Sequence, residues 1–485
     1  MSDRVLLAFG DSGSDRQYTR ADLDALAQNM AAELWRRGVS PGDRVALMCS
    51  CRPELVVALL AIWRLGAAVV LMSPSWKRTE VAHAVQLTRP VAGVGDHRLL
   101  SELVPTLDLD HELAEPTAAE VAELGRLGDD PPGADAVLVF SSGTTGLPKA
   151  VRHTHGGLAA AVAQWRDALG LTADDRLQIM TPPAHILGLL NILTALDTGA
   201  WLRLHRRFDV DTMLRHIQDE RITVDMTVAP IALALAAHPD LEAYDLSSLR
   251  YLVWCATPVT PSVAAEVTRR AGVRWLTASG SSEVVLFSCG ELAPGRMDTV
   301  GRAAPGVEIR IRATDSPELL GPGLPGEIEV RSAAAMAGYL PEDETAAVFE
   351  DGWYRTGDIG RLDEAGWLRI TDRCKEMVKV RGFPVAPAEV EAVLHTHPAV
   401  ADCAVFGVPD HADGERVIAA VARRAPVTDE ELIALAAEHL ASYKKPSAVM
   451  FVDEIPRLAS GKVLRRVLRE HLLSACEKGF TWTSV

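Results

Sequence analysis

The sequence predicts an α/β protein. It has a large N-terminal domain of parallel αβ layers, a small barrel-like antiparallel element and a small α+β C-terminal domain. Three observations predict this class. In the first 100 residues strand patterns alternate with helical patterns, as in parallel sheets covered by helices. From about Gly290, glycine, proline and short alternating strands dominate. Beyond about residue 375, helical and strand patterns are mixed again.

The N-terminal elements follow from apolar spacing and capping residues. The stretch "TRADLDALAQNMAAELWRRG" has apolar residues at helical spacing, with Thr19 as N-cap and Gly38 as stop. "PGDRVALMCS" predicts a turn and a short strand. A second helix runs from about Pro53 to Leu65 and leads into the strand "AAVVLM". The stretches "VAGVGD" and "AVLVFSSG" predict further strands that open into loops.

The later elements predict the second and third parts of the fold. "GVEIRIRATD", "GEIEVRS" and "GWYRTGDIGRLDEAGWLRITDR" predict the antiparallel, barrel-like element. "PAEVEAVLHTH" and "DEELIALAAEHL" predict helices, and "VADCAVFGVPD" predicts a strand between them. A chain of 485 residues is too long for one compact core. We therefore place a boundary near Lys375, which separates domains 1–374 and 375–485.

Composition narrows the class of partner and the compartment. The formal charge of −16 argues against a nucleic-acid groove or an anionic membrane surface, since both require a basic face. The apolar run "LVVALLAIWRLGAAVVLM" is interrupted by Arg64 and Gly66, which favours a buried helix and strand over a membrane span. Seven cysteines without a C-x-x-C pair indicate reduced thiols. We expect a cytoplasmic protein without a secretion signal.

One Gly- and Thr-rich loop has the chemistry of an anion site. In "SSGTTGLPKAV", residues 141–151, two glycines allow successive backbone N–H groups to point at one anion, while four hydroxyls and Lys149 add donors and charge. A Walker loop is excluded because Pro148 separates the second glycine from the lysine. The later "LASGKVLRR" also lacks the Walker spacing. A plain surface loop is the alternative for either stretch taken alone.

Seven motifs in order identify a family. "FSSGTTGLPKAV" resembles the phosphate loop of the adenylate-forming superfamily, which includes acyl-CoA ligases, adenylation domains and luciferases. The remaining motifs are "PPAHILGL", "WCATPV", "SGSSE", "GWYRTGDIG", "TDRCKEMVKVRGF" and "PRLASGKVLRR". The resemblance covers nearly the whole chain. The wording "DRCKEMVKVRGFPVAPAEVE" is most similar to the 4-coumarate–CoA ligase branch and its acyl-CoA ligase relatives.

The resemblance implies an AMP-forming acid–CoA ligase. A carboxylic acid would attack the α-phosphate of ATP with Mg²⁺, giving acyl-adenylate and pyrophosphate, and the thiol of CoA would then displace AMP. Other acceptors within the family are a carrier-protein thiol and an amine, and a non-carboxylate oxyanion is an alternative substrate. The implied partners are small molecules, with a carrier protein as the alternative, and the sequence does not indicate an oligomeric state.

The resemblance also assigns residues to the nucleotide. The loop assigned to the β- and γ-phosphates comprises Ser141, Ser142, Gly143, Thr144, Thr145, Gly146 and Lys149. The residues assigned to adenine, α-phosphate and ribose are Ala256, Thr257, Pro258, Ser279, Gly280, Ser282, Asp358 and Arg373. Glu283 would hold Mg²⁺, a hard cation that prefers carboxylate and phosphate oxygens.

Catalytic and acyl-pocket residues follow from the same motifs. Lys462 would lie on a mobile C-terminal domain and reach the α-phosphate and the carboxylate during adenylation. After rotation about the hinge residue Lys375, the segment with Lys379 and Gly382 would enter the site for thioester formation. The residues assigned to catalysis are Lys462, Lys149, His185 and Lys379. Those assigned to the acyl pocket are His185, Gly188, Trp254, Cys255 and Val284.

The sequence departs from the family pattern at several positions. Ser279 stands where an aromatic residue is usual beside adenine, Ala150 follows the loop lysine in place of glycine, and Pro384 replaces a polar residue. Val284 and Val285 are larger than usual and would reshape the acyl pocket. A catalytically idle nucleotide-binding protein and a Ser-Ser-Lys amidase are the alternatives from other classes. The joint presence of the charged motif residues speaks against the first, and the spacing of Lys149 and the downstream motifs speak against the second.

Overall fold

The computed structural model describes residues 4–10, 16–127, 131–141, 148–256, 259–291, 296, 298–373, 376–380, 383–410, 414–457 and 461–477. The helices of the N-terminal part are α1 (Arg20–Arg36), α2 (Pro53–Arg64), α3 (Arg78–Thr88), α4 (Arg98–Ser101), α5 (Ala118–Leu127), α6 (His155–Leu169), α7 (Ile186–Thr198), α8 (Val210–Glu220), α9 (Ala229–Ala237) and α10 (Pro261–Ala271). Those nearer the C-terminus are α11 (Pro387–Leu394), α12 (Asp429–His439) and α13 (Arg465–Glu477). Short 3₁₀ turns occupy Leu241–Ala243 and Glu342–Glu344.

The predicted helix starts are confirmed where capping chemistry is strongest. Thr19 accepts a hydrogen bond from the Asp22 backbone N–H, while the Asp22 carboxylate accepts one from Thr19 N–H at 2.8 Å, forming a capping box. Gly38 follows α1 with φ of 91°, a conformation that favours glycine. Helix α2 begins at Pro53, where the missing N–H costs nothing.

The strands alternate with these helices along the chain. The early strands are β1 (Val5–Phe9), β2 (Arg16–Thr19), β3 (Arg44–Met48), β4 (Ala68–Leu71), β5 (Ala92–Gly95), β6 (Thr106–Asp108), β7 (Asp135–Ser141) and β8 (Lys149–Thr154). They are followed by β9 (Arg176–Ile179), β10 (Trp201–Leu204), β11 (Val224–Thr227), β12 (Tyr251–Cys255), β13 (Trp275–Ser279), β14 (Ser288–Glu291) and β15 (Arg302–Ala303). Strands β16 (Val307–Arg312), β17 (Gly326–Ser332), β18 (Gly338–Leu340), β19 (Phe349–Glu350), β20 (Trp353–Leu362) and β21 (Leu368–Arg373) come next. The last are β22 (Val378–Val380), β23 (Phe383–Val385), β24 (Val400–Asp410), β25 (Gly414–Arg423) and β26 (Ala448–Val452).

Two mainly parallel sheets form the large N-terminal part, as predicted. Within the described residues one sheet has the order β15-β14-β13-β12-β11-β9-β10-β1-β2 and the other β18-β8-β7-β4-β3-β5-β6. In the first sheet the six consecutive strands β13-β12-β11-β9-β10-β1 are parallel to one another. In the second sheet the five consecutive strands β7-β4-β3-β5-β6 are parallel to one another. Buried residues of both sheets and of α1, α2, α6 and α7 belong to one hydrophobic core.

The short strand β18 matters for the site. It pairs antiparallel with β8, with Tyr339 opposite Val151, although the two strands lie far apart in sequence. This pairing brings the segment around residues 338–345 to the strand that begins at Lys149.

The other two sheets are small. Strands β16, β17, β20, β19 and β21 form a curled, antiparallel half-barrel, which confirms the predicted barrel-like element. Beyond it, β22 to β26 form a sheet flanked by α11, α12 and α13. Buried residues 7–368 and buried residues 378–472 form separate core clusters. This separation agrees with a boundary near Lys375, which itself lies outside the described residues and stays a prediction.

Two expectations from composition can be checked. In the described ranges no helix combines the length and apolar character needed to cross a bilayer. The cysteine side chains that the structure describes are free thiols, namely those of Cys49, Cys51, Cys255, Cys289 and Cys403.

Candidate active site

The β7–β8 hairpin places the glycine-rich loop. Ser141 ends β7 and Lys149 begins β8, and the two residues are paired across the hairpin. The side chain of His83 on α3 contacts the Pro148 carbonyl oxygen at 3.0 Å, just before β8. Ser142, Gly143, Thr144, Thr145 and Gly146 lie outside the described residues, so their assignment to phosphate stays a prediction. The two ends of the loop are nevertheless held by paired strands.

Lys149 has two partners from the segment after β17. Its ammonium donates to the Glu344 carboxylate, and its Nζ lies 5.3 Å from the centroid of the Tyr339 ring. The Lys149 side chain is 17% exposed and that of Glu344 is 33% exposed. Lys149 is therefore a half-buried cation held beside the loop by a carboxylate and an aromatic face.

Glu283 contacts the hydroxyl of Tyr339. The Tyr339 hydroxyl donates to Glu283 Oε1 at 2.8 Å, and Glu283 is only 8% exposed. Tyr339 thus contacts Lys149 with its ring and Glu283 with its hydroxyl. The structure therefore brings the predicted phosphate cation and the predicted metal ligand to one place, although they are far apart in sequence.

The turn at Gly280 and Ser281, just before Glu283, is held in one conformation by hydrogen bonds and by close packing. The Ser281 hydroxyl accepts hydrogen bonds from the backbone N–H groups of Glu283 at 3.2 Å and Val284 at 3.1 Å. A Cβ atom on Gly280 would lie 2.0 Å from the Val285 carbonyl oxygen, so only glycine fits there. These contacts hold the backbone of the turn from which the Glu283 side chain projects.

Tyr354 connects this cluster to the predicted ribose site. Its hydroxyl lies beside those of Tyr339 and Ser281, and the Asp358 carboxylate is close enough to influence it. Burial and the Glu283 charge raise the pKa of both tyrosines, so both are protonated donors at neutral pH. The Asp358 backbone N–H donates to Thr356 Oγ1 at 3.0 Å, and Asp358 pairs with Arg373 across β20 and β21.

The residues present fit a magnesium ion that is shared with phosphate. No group of three or more His, Cys, Asp or Glu side chains in the described ranges could enclose a metal. Mg²⁺ does not need such a cage, because one or two carboxylates and substrate phosphates suffice. Glu283 offers one buried carboxylate whose Oε1 is fixed by Tyr339. A metal held there would obtain its other ligands from water and nucleotide.

The predicted adenine-side residues follow the ends of two neighbouring parallel strands. Ala256 comes directly after β12 with φ of 60°, a left-handed conformation uncommon for a residue with a side chain. Ser279 ends β13, and its carbonyl accepts the Phe287 N–H at 2.9 Å. Thr257 and Pro258 lie outside the described residues. The carboxyl edge of parallel strands is where ligands bind in open α/β sheets.

The predicted acyl-pocket residues lie mainly in the core. Burial lowers the pKa of His185, which precedes α7 without capping it, so its ring is neutral. A Cβ on Gly188 would lie 2.5 Å from the Pro182 carbonyl oxygen, which gives this glycine a packing reason. Trp254 is 1% exposed with its ring 5.3 Å from that of Trp275.

Two more of the predicted acyl-pocket residues are buried. Val284 is fully buried and bridges Ala335, and Cys255 is 3% exposed. Burial raises the pKa of the Cys255 thiol to about 12, so it is not a nucleophile at neutral pH. A pocket role for these residues stays a prediction.

The C-terminal candidates lie on a separate sheet and the segment after it. Lys462 follows Gly461, whose φ is 83° and whose carbonyl accepts from Arg457 Nη1 at 2.9 Å. Lys379 lies on β22, opposite Pro384 on β23. Lys375 and Gly382 lie outside the described residues. The catalytic roles of Lys462 and Lys379 stay predictions.

Sequence reasoning missed Tyr339, Glu344 and Tyr354. Tyr339 and Glu344 lie in "GYLPEDET" and Tyr354 in "GWYRTGD", but no spacing relates them to Lys149 or Glu283. The pairing of β18 with β8 reveals the proximity of Tyr339 to Lys149, and Tyr354 lies beside Tyr339. The one available signal was the rarity of tyrosine, of which the chain has six.

Comparison with known proteins places this geometry in a family. The family described as AMP-binding enzyme matches residues 1–340, and its C-terminal domain family matches residues 389–462. 4-Coumarate–CoA ligase 2 of Oryza sativa subsp. japonica is 34% identical, over 96% of this chain and 89% of the relative.

Two solved structures share the fold over almost their whole length. The amide bond synthetase McbA of Marinactinospora thermotolerans has a TM-score of 0.87 and 32% identity, covering 96% of both chains. The o-succinylbenzoate coenzyme A synthetase MenE of Bacillus subtilis, in complex with ATP and magnesium ion, has a TM-score of 0.85 and 28% identity, also covering 96% of both chains. The chain belongs to the AMP-binding enzyme family, the adenylate-forming enzymes that include the 4-coumarate–CoA ligases.

Proposed function

We propose that this chain activates a carboxylic acid with ATP and transfers the acyl group to the thiol of CoA. In the first step a carboxylate oxygen bonds to the α-phosphorus and pyrophosphate leaves. In the second step the thiol sulfur bonds to the acyl carbon, the thiol proton is lost and AMP leaves. The observation that carries the proposal is the contact of Tyr339 with both Lys149 and Glu283 in a chain of this family.

The described side chains match the demands of the first step. Reactions at phosphorus depend mainly on positioning and charge neutralisation. Lys149 would neutralise the departing pyrophosphate, together with backbone N–H groups of the 141–149 loop. Glu283 would hold Mg²⁺, which supplies charge neutralisation to the phosphates. Tyr339 keeps Glu283 in place as a protonated donor, and the Tyr354 hydroxyl lies beside that of Tyr339.

The acid and the nucleoside would be oriented by the strand ends. Asp358 offers a carboxylate that can accept both ribose hydroxyls, and Arg373 lies opposite it in the strand pair. Ala256 follows β12 and Ser279 ends the neighbouring strand β13, where adenine would lie. The neutral ring of His185 would stand beside the acyl carboxylate without adding a charge.

The C-terminal residues would serve the two steps in turn. We propose that the boundary near Lys375 separates two bodies and that Lys462 enters the site for adenylation. Rotation would then replace it with the segment of Lys379 and Gly382. The separate core clusters support this proposal, because a rotation about the connecting segment disturbs neither core.

An amine is the second candidate acceptor. It is favoured by one observation, namely that an amide bond synthetase shares 32% identity and the fold over 96% of both chains. Both candidates share the adenylation step and differ only in the nucleophile of the second step. Ser279, Val284 and Pro384 depart from the usual family residues and give no preference between a thiol and an amine.

An acid panel would test the proposal. Purified protein is supplied with ATP, Mg²⁺ and aromatic, short-chain and medium-chain acids, and pyrophosphate release is measured with CoA, with a primary amine or with neither. We expect acid-dependent pyrophosphate and a thioester when CoA is present. An amide in place of the thioester would support the second candidate. Absence of pyrophosphate with every acid would overturn the adenylation proposal.

A further inference from the structure

A buried histidine contacts the residue that precedes the proposed magnesium ligand. His153 is on β8, the strand that begins at Lys149, and it is fully buried. Its Nε2 lies 2.7 Å from the carbonyl oxygen of Ser282, the residue before Glu283. Its Nδ1 is buried and has no hydrogen-bond partner among the described residues. Among the described residues, the ring therefore makes one polar contact, and that contact is with the Glu283 segment.

The direction of this hydrogen bond follows from chemistry. A carbonyl oxygen only accepts, so Nε2 carries the proton and donates it. Burial lowers the pKa of His153, which keeps the ring neutral. The neutral ring then has its proton on Nε2 and a bare lone pair on Nδ1. An orphaned buried nitrogen is costly, and a purely apolar side chain would avoid that cost.

The hydrogen bond from His153 acts together with two other contacts that hold the Glu283 segment. Tyr339 fixes the Glu283 carboxylate, and the Met336 N–H donates to the Glu283 carbonyl at 2.7 Å. His153 holds the preceding peptide, which also carries the residue assigned to the α-phosphate. These contacts come from β8 and from the segment that pairs with it. The strand that bears Lys149 is thereby coupled to the position of Glu283.

We propose that His153 is a positioning residue whose Nε2–H fixes the Ser282–Glu283 peptide so that nucleotide and magnesium bind between Lys149 and Glu283. This inference rests on the proposed function of the site. It makes a specific demand on residue 153: a hydrogen-bond donor must stand where Nε2 is, and nothing is needed where Nδ1 is.

Two amide variants separate this role from simple packing. The amide nitrogen of His153→Gln can reach the Nε2 position, whereas the shorter amide of His153→Asn reaches only to the Nδ1 position. His153→Leu removes the donor and keeps an apolar side chain. Three quantities are measured for each variant: the KM for MgATP, the KM for the acid and the melting temperature. In addition, Mn²⁺ binding is followed by electron paramagnetic resonance with a non-hydrolysable ATP analogue.

We expect His153→Gln to stay within about twofold of the wild type. His153→Asn and His153→Leu should weaken MgATP and Mn²⁺–nucleotide binding by about tenfold, the loss expected for one hydrogen bond, and leave the KM for the acid unchanged. Equal behaviour of the Gln and Asn variants, or wild-type binding by both Asn and Leu, would overturn the proposal. Should the Leu variant fail to fold, the Gln and Asn pair decides.

The failure of this inference can be distinguished from failure of the proposed function. If the wild type releases no pyrophosphate with any acid, the proposed function is wrong, but Mn²⁺–nucleotide binding still ranks the variants. If the wild type is active and all three variants bind Mn²⁺–nucleotide as it does, only the role of His153 is wrong.

Discussion

Substitution of Glu344 by Gln tests whether Lys149 exchanges the Glu344 carboxylate for the phosphates of ATP. In the structure, the Lys149 ammonium donates to the Glu344 carboxylate. If Lys149 serves the β- and γ-phosphates, part of this ion pair must be given up when ATP binds. Its stabilisation therefore opposes ATP binding, and we expect Glu344→Gln to bind ATP more tightly.

The magnitude follows from the exposure of the pair. Fully exposed ion pairs contribute about 0.2–1 kcal/mol, and breaking a fully buried pair costs about 3–5 kcal/mol. The Lys149 side chain is 17% exposed and that of Glu344 is 33% exposed, so solvent screens the pair in part. We take about 1 kcal/mol, which corresponds to a roughly fivefold lower Kd for ATP. Loss of a negative charge beside the triphosphate acts in the same direction.

The assay is calorimetric titration with a non-hydrolysable ATP analogue and Mg²⁺, at fixed ionic strength and without acid. Glu342→Gln is the matched control, because it removes an equal charge two residues away. The Glu342 side chain is 77% exposed and lies 3.5 Å from Arg152, not from Lys149. If Glu344→Gln binds the analogue more weakly than the wild type, or no better than Glu342→Gln, partner exchange is the wrong description.

Three further predictions address other parts of the chain. Lys462→Ala should slow adenylation by about 10² or more while supplied acyl-adenylate is still converted to thioester, measured as separate half-reactions; an equal loss in both would contradict the role. Lys375→Pro should leave pyrophosphate release intact and block thioester formation, and unchanged thioester yield would argue against a hinge. Burial raises the pKa of Asp225 from 3.8 to about 7, so the native state binds the proton more tightly than the unfolded chain. Stability should therefore fall as pH rises between about 4 and 7, and urea midpoints of Asp225→Asn should lack that slope; an unchanged slope would refute the assignment.

Much of the fold could be predicted because its signals are local. The Thr19 capping box, the Pro53 start of α2 and the alternating strands after Gly290 each depend on residues a few positions apart. The order of the strands could not be predicted. The pairing of β18 with β8 joins segments almost 200 residues apart, and no periodicity encodes it.

The site could be predicted only in part for the same reason. Motifs identified Lys149 and Glu283 because each has characteristic neighbours in sequence. Tyr339 contacts both residues but lies in a motif of neither, and its role depends on the strand pairing. The acyl pocket was the least predictable part. Trp254 and Val284 are as buried as any core residue, so residue type and burial do not distinguish packing from substrate contact.

The position of Tyr339 has a consequence for how the proposed step could be controlled. Its ring faces the cation assigned to the leaving pyrophosphate, and its hydroxyl holds the carboxylate assigned to the metal. A displacement of β18 from β8 would therefore remove the contact of Tyr339 from both groups together. Because His153 and Lys149 also lie on β8, this one strand pair carries the residue that contacts the Glu283 segment and the cation assigned to the phosphates. Under the proposed function, adenylation should thus respond to substitutions in β8 and in β18 as a unit.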